Sequence, residues 1–337
     1  MAHRGFDEQM AALEALKGQP LDAGAVELIK KSLAGKSNFL AAKAARLAEE
    51  NQLVDLLPGL MAAFERFFVN AQKSDPQCWA KNALSRALSK LGCRDKDVFL
   101  RGLNHQQWEP AFGGRSDTAG TLRGNCAHAL MGCEGLIAQD VLLLLVDLLA
   151  DADKAVRVEA VRALAQLDDM AVPVLRLKAM LSGEDPEEIE VLAVCFSALL
   201  AIDRDASIPF VVRSLAKGDD GAGEAAFALA ETHHPAALEA LMAARQQPGN
   251  DPWFAGVLLS AIALTRLPQA ISYLMGLIEA EDRESPEAIG ALMKSSPGAE
   301  LRARIEQAVE ETGSARLRKA LEEGNREQGR GNGENRE

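Results

Sequence analysis

The chain has 337 residues, 37 Lys and Arg against 49 Asp and Glu, a net charge of −12, and 4% aromatic residues. An acidic balance of this size opposes a phosphate-dominated nucleic-acid interface. The longest apolar candidate, Val141–Leu149, is broken by Asp147 and falls far short of a membrane span. The N-terminal stretch through Asp7 lacks the apolar core of a secretion signal, and five cysteines without framework spacing read as reduced thiols of a cytoplasmic protein.

In chain order, helical segments are predicted near Glu8–Leu16, Ala25–Leu33, Phe39–Glu50 and Leu53–Asn70. A periodic region follows. Asp75, Lys81 and Ala87-Leu88 are echoed by Asp117, Arg123 and Ala129-Leu130, and again by Asp151, Arg157 and Ala163-Leu164. In each copy the basic residue follows the aspartate by six positions and an Ala-Leu pair begins six later. The Ala-Leu signal continues at Ala198-Leu199, Ala228-Leu229, Ala261-Ile262 and Ala291-Leu292. Between these lie second helices: Val141–Leu149, Val172–Leu181, Ile208–Leu215, Ala237–Ala244 and Ile271–Ile278, with apolar residues three and four apart. Asp75-Pro76, Asp185-Pro186, Asp251-Pro252 and Ser285-Pro286 read as helix starts, a capping residue before a proline at the first helical position. Period-two alternation bounded by turns is missing, so helix is expected throughout. Leu301–Val309 reads as a polar final helix; beyond Glu323 no apolar residue occurs, and a disordered tail is expected.

A supersecondary unit repeated about every 34 residues marks a solenoid of stacked helix pairs. The copy from Asp153 to Leu167 resembles a HEAT repeat of the short bacterial type, also called PBS-lyase HEAT-like. That resemblance implies an all-α, right-handed superhelical solenoid of antiparallel helix pairs. The expected organisation is residues 1–72 as atypical capping helices, 73–322 as HEAT-like repeats and 323–337 as tail. It also implies that Lys81, Arg123 and Arg157 bind the aspartate six residues before them and so stabilise the stack.

The step from Ala87-Leu88 to Ala129-Leu130 is the longest, and its surplus falls in the Asn104–Thr118 loop. Insertions in solenoids form loops on one face, frequently the binding face. The loop carries His105, Trp108, Phe112, Arg115 and the Gly113-Gly114 pair. Around it, residues 73–123 hold nine basic and five acidic side chains, a local excess of four in an acidic chain. The candidate partner-binding residues are therefore Arg94, Arg101, His105, Trp108, Phe112 and Arg115, with an anionic group as a possible contact at the basic island. The alternative for the loop is a structural cover over a repeat junction.

Cys93, His105, Cys126, His128 and Cys133 carry metal-binding atoms, but neither CxxC nor HxxxH spacing occurs, so no metal is expected. His233-His234 reads as a helix cap, and no motif for nucleotide, phosphate or nucleophilic chemistry is found. No cofactor is expected. The resulting reading is a protein-binding scaffold or adaptor with a protein partner, without nucleic acid or membrane and without catalysis of its own. A HEAT-like lyase or a nucleic-acid-acting enzyme using residues 104–118 stands as the alternative.

Overall fold

The computed structural model describes residues 2–334, with side chains described for residues 5–326. Among the described residues it is all-α apart from one small hairpin, and the chain divides into two compact units, Met1–Ala171 and Val172–Glu337.

The N-terminal unit holds α1 (Ala2–Glu14), α2 (Ala23–Ala34), α3 (Asn38–Glu50), α4 (Leu57–Arg66), the one-turn α5 (Ala71–Ser74), α6 (Trp79–Lys90), α7 (Lys96–Leu103), α8 (Gly120–Ala129), α9 (Ala138–Leu148) and α10 (Lys154–Leu164). Helices α2, α3, α6, α8 and α10 pack side by side in series, while α4 covers α2 and α6, α7 covers α8, and α9 covers α10. Small side chains make the series close: α3 buries Ala41, Ala44, Ala45 and Ala48, and α6 buries Ala80, Ala83 and Ala87. Gly102 and Gly120 mark the tightest approaches. A Cβ on the first would collide with Cys126 Sγ, and one on the second with Asp153 Oδ2.

The C-terminal unit holds α11 (Val172–Ser182), α12 (Ile189–Ile202), α13 (Arg204–Val212), α14 (Asp220–Glu231), α15 (Pro235–Arg245), α16 (Pro252–Leu264), α17 (Pro268–Glu279), α18 (Ser285–Lys294), α19 (Ala299–Thr312) and α20 (Ala315–Glu334). Here α12, α14, α16, α18 and α20 stack in series, flanked by α11, α13, α15, α17 and α19.

Four sequence expectations need correction. Helix does not run throughout: within the Asn104–Thr118 loop β1 (Trp108–Ala111) and β2 (Gly114–Asp117) form an antiparallel hairpin pairing Trp108 with Asp117 and Ala111 with Gly114. Its strands lie on the surface and bury little, so no alternating apolar face announces them.

Second, the Asp-Pro and Ser-Pro starts behave differently from one another. Asp251 caps α16 through Phe254 N at 2.8 Å as expected. Asp75 instead caps α6 across a 3-10 turn in which Gln77 and Cys78 are left-handed, accepting from Ala80 N and Lys81 N at 2.8 and 3.0 Å. Asp185 likewise caps a 3-10 turn, and Ser285 is buried, donating to the carbonyls of Leu277 and Asp282.

Third, Leu301–Val309 lies in α19 and is not the last helix. Fourth, α20 carries helix across residues 323–334, where disorder is expected from sequence. At the start of that stretch Gly324 lets the chain press against Met293, and Arg302 Nη1 donates to Asn325 Oδ1 at 2.7 Å; residues 335–337 of the expected tail lie outside the described residues.

Candidate binding surfaces

The repeat's aspartate and basic residue form a ladder within the N-terminal unit. Lys81 Nζ lies 2.9 Å from Asp75 Oδ2, and both side chains are completely buried. Two buried charges survive only when hydrogen bonds complete their coordination. Here they do: Asn38 Nδ2 reaches Asp75 Oδ1, and Lys81 Nζ also donates to the Phe67 carbonyl at 3.3 Å.

The next rung is shared. Arg123 binds Asp117 Oδ2 at 2.6 Å and Asp151 through two nitrogens at 2.8 and 3.0 Å, and gives a further bond to the His105 carbonyl. Burial alone would raise the Asp117 pKa, but bonds from the Gln107 and Ala119 amides and from Arg123 outweigh it and hold the carboxyl below its usual range. Burial likewise opposes the Arg123 charge, and the two aspartates overcome it. On the third rung Arg157 Nη1 donates to the main-chain carbonyls of Asp151 and Ala152.

This ladder roots the hairpin. Gln107 Nε2 donates to the Asp75 carbonyl at 2.9 Å and to Glu109 Oε1 at 2.6 Å, while Gln107 N donates to Asp117 Oδ1. Glu109, nearly buried, accepts from Gln77 N with both oxygens. Above these bonds the strands end in the two-residue turn Phe112-Gly113, with Gly113 at φ +84°. A side chain with a Cβ is strained there. Phe112 is fully exposed and Trp108 is 45% exposed.

The six residues singled out in the sequence do not form one patch. Trp108 and Arg115 belong together, since Arg115 Nη2 donates to the Trp108 carbonyl at 2.7 Å; Phe112 stands at the turn, at the other end of β1 from Trp108. Arg101 and His105 share Phe68 instead. The Arg101 guanidinium sits 4.7 Å from that ring's centre, and the imidazole meets it edge-on at 4.9 Å. Arg101 also pairs with Glu65 at 3.0 Å. Burial lowers the His105 pKa, and a bond to Gln107 only partly opposes this. Arg94 lies apart, 3.9 Å from Glu134. The basic island therefore divides into a buried ladder, a ring-stacked pair and separate surface pairs.

Another surface escapes the sequence reading. On α3, α6, α8 and α10 residues that are not buried recur at helical spacing: Phe39, Lys43, Arg46 and Glu50; Trp79, Asn82, Arg86 and Lys90; Thr121, Asn125 and His128; Ala155, Glu159 and Arg162, with Gln166 just past the end of α10. Side-chain contacts join these helices across the face. Phe39 and Trp79 rings lie 5.8 Å apart; Arg86 Nε meets Glu49 at 3.0 Å; Asn125 Nδ2 reaches the Asn82 carbonyl at 3.3 Å. His128 lies between Glu159 Oε2 at 2.8 Å and Gln166 Nε2 at 2.9 Å, and Arg162 holds the other Glu159 oxygen. The signal in the sequence is the polar or aromatic residue at every third or fourth place in otherwise Ala/Leu-rich helices.

The corresponding face of the C-terminal unit has the opposite charge. Glu190, Asp220, Glu224, Glu231 and Glu287 are not buried there, alongside the exposed rings of Phe227 and Trp253. Burial, then the nearby Asp220 and Glu231 carboxylates, raises the Glu224 pKa. In the same unit His234 Nδ1 caps α15 through Ala236 N, as expected from sequence, and His233 Nδ1 contacts the Thr265 carbonyl at 2.9 Å.

Among the described residues, no group of three or more His, Cys, Asp or Glu is placed to hold a metal ion, and no helix is long and apolar enough to cross a membrane. All five cysteines are buried thiols.

No protein-family model matches the chain, and no curated protein sequence matches it. Among solved structures, the crystal structure of an engineered protein is similar at 18% identity, covering 94% of this chain and 90% of that chain, with a TM-score of 0.33. That likeness carries no information on function.

Proposed function

We propose that the chain is a HEAT-like α-solenoid acting as a cytoplasmic protein-binding scaffold, without catalysis of its own. Serial stacking of helices within each unit and the shared Asp–Arg rungs support the solenoid reading. Five unpaired, buried thiols agree with a reducing compartment.

The observation that carries the binding role is the hairpin. It holds a fully exposed Phe112 and a half-exposed Trp108 on a frame bonded from beneath by Gln107 and Glu109. Large apolar rings kept in water on a rigid support cost free energy in the free protein, and tryptophan is among the residue types that most often anchor interfaces. Pre-ordering the support also lowers the entropy lost on association.

The test is affinity capture from an extract of the native cells, followed by binding of the identified partner in purified form. Wild type should retain one protein at fixed stoichiometry. Trp108→Ala with Phe112→Ala and Arg115→Ala should lose it without a change in melting temperature. Retention of a tetrapyrrole or of nucleic acid in place of a protein would overturn the reading, as would unchanged binding by the triple variant.

A further inference from the structure

We propose that the exposed face of α3, α6, α8 and α10 binds an extended, acidic segment of a protein partner. This rests on the scaffold reading but uses a surface separate from the hairpin tip.

Three features of the face define its occupant. The first is charge. Lys43, Arg46, Arg86, Lys90 and Arg162 stand against four carboxylates, Glu14, Glu49, Glu50 and Glu159, so the surface keeps a positive excess of one in a chain of net charge −12. Arg46 is exposed and open to bidentate binding of a ligand carboxylate, while Arg162, 53% exposed, gives Nη1 to Glu159 and can add a ligand oxygen through its other nitrogens.

The second is the interleaving of Glu49 and Glu159 with the arginines, at 3.0 Å from Arg86 and 2.5 Å from Arg162. A continuous phosphate backbone running over these carboxylates would meet like charge at intervals. A polypeptide places its acids at chosen positions and avoids them.

The third is the amide and aromatic content. Asn125, partly exposed, spends its Nδ2 on the Asn82 carbonyl and Ser85 Oγ, which leaves its Oδ1 to accept from a peptide N–H. The Phe39–Trp79 pair, 48% and 44% exposed, offers a seat for one apolar side chain at the helix N-terminal edge.

Size follows from geometry. Neighbouring helices sit about 8–10 Å apart, so crossing from α3 to α10 takes about 24–30 Å. An extended chain rises about 3.3 Å per residue. A segment of about eight or nine residues therefore spans the face.

The probe is a fluorescein-labelled peptide of nine residues, one leucine followed by glutamates alternating with serine, titrated into the full chain and read by anisotropy. The peptide should bind, and affinity should fall at least tenfold in Arg46→Glu/Arg162→Glu. It should fall also when the glutamates become glutamines, while Trp108→Ala/Phe112→Ala leaves it unchanged. If the charge-reversed protein does not fold, Arg46→Gln/Arg162→Gln replaces it and should lose affinity in the same direction. No binding by wild type, equal binding of the glutamine peptide, or tighter binding of a nine-nucleotide single strand would each overturn the proposal. Loss of peptide binding through the hairpin variant alone would also overturn it, since the occupied surface would then be the hairpin. Partner capture by the hairpin in a protein that ignores the peptide sinks this inference and leaves the scaffold reading standing.

Discussion

Single residues in the ladder differ sharply in what they hold. Lys81 has no water to fall back on, and neither has Asp75. Lys81→Met should cost roughly 3–5 kcal/mol in urea unfolding, because it strands a buried carboxylate. Arg157→Ala should cost about 1–3 kcal/mol, the loss of charged hydrogen bonds to two carbonyls. Both basic positions are visible in the sequence from their fixed spacing. What spacing does not reveal is that Arg123 also reaches forward to Asp151, so that one side chain ties two rungs together. Titration separates two further residues. The folded His105 pKa is depressed, so its contribution is present above the unfolded value of about 6.5 and lost as pH falls below that toward the folded value. Asp117, also depressed, contributes fully above about 3.9, its unfolded value, and loses that contribution as pH falls through its folded value. Stability measured against pH should thus decline in two stages on acidification, and Asp117→Asn should flatten the lower one.

At the scale of elements, the hairpin joins two rungs of the ladder: Gln107 touches the Asp75 carbonyl on one side and Asp117 on the other. The loop is thus a structural brace at its base, and its tip is free of that duty. Gly113→Val should cost about 1–2 kcal/mol locally, as a β-branched residue enters left-handed backbone. Hydrogen exchange over residues 108–117 should accelerate while the melting temperature stays put; unchanged exchange would show that the turn tolerates the side chain. Sequence places Trp108, Phe112 and Gly113 in one insertion correctly. It hides the strands because Pro110 and Gly114 interrupt any alternation, and because the stabilising partners, Gln77 and Asp75, are some thirty residues away. The α3–α10 face is hidden for a different reason. Its members are scattered singly over four helices, and only packing brings Phe39 to Trp79 or His128 to Glu159.

For the whole molecule, charge is divided unevenly. The N-terminal unit has 20 basic and 22 acidic side chains, a net of −2, and the C-terminal unit has 17 and 27, a net of −10. Self-repulsion therefore weighs mainly on the second. Raising NaCl from 0.01 to 0.1 M shortens the Debye length from about 30 to about 10 Å. Amide exchange in α12, α14 and α16 should slow over that range more than in α3, α6 and α8. Equal slowing in both sets would mean that unit charge does not govern local stability. The same arithmetic could have been done on the sequence, but the boundary at Ala171 could not. It follows a 3-10 stretch, Ala165–Ala171, in which Asp168 turns to φ 48°. Pro173 stands just past it, but a proline in the first turn of a helix marks a helix start and not a unit boundary.

The burial of the cysteines has a practical consequence. Burial pushes the thiols of Cys78 and Cys133 up to about 11 and that of Cys195 to about 12, and raises those of Cys93 and Cys126 as well. Thiolate is the reactive form, so alkylating dyes should find the native protein inert at neutral pH. Phe112→Cys then introduces a single addressable thiol at the tip of the hairpin, fully open to solvent. A fluorophore attached there would report directly on whatever docks at that end of the insertion, with no background from the rest of the chain.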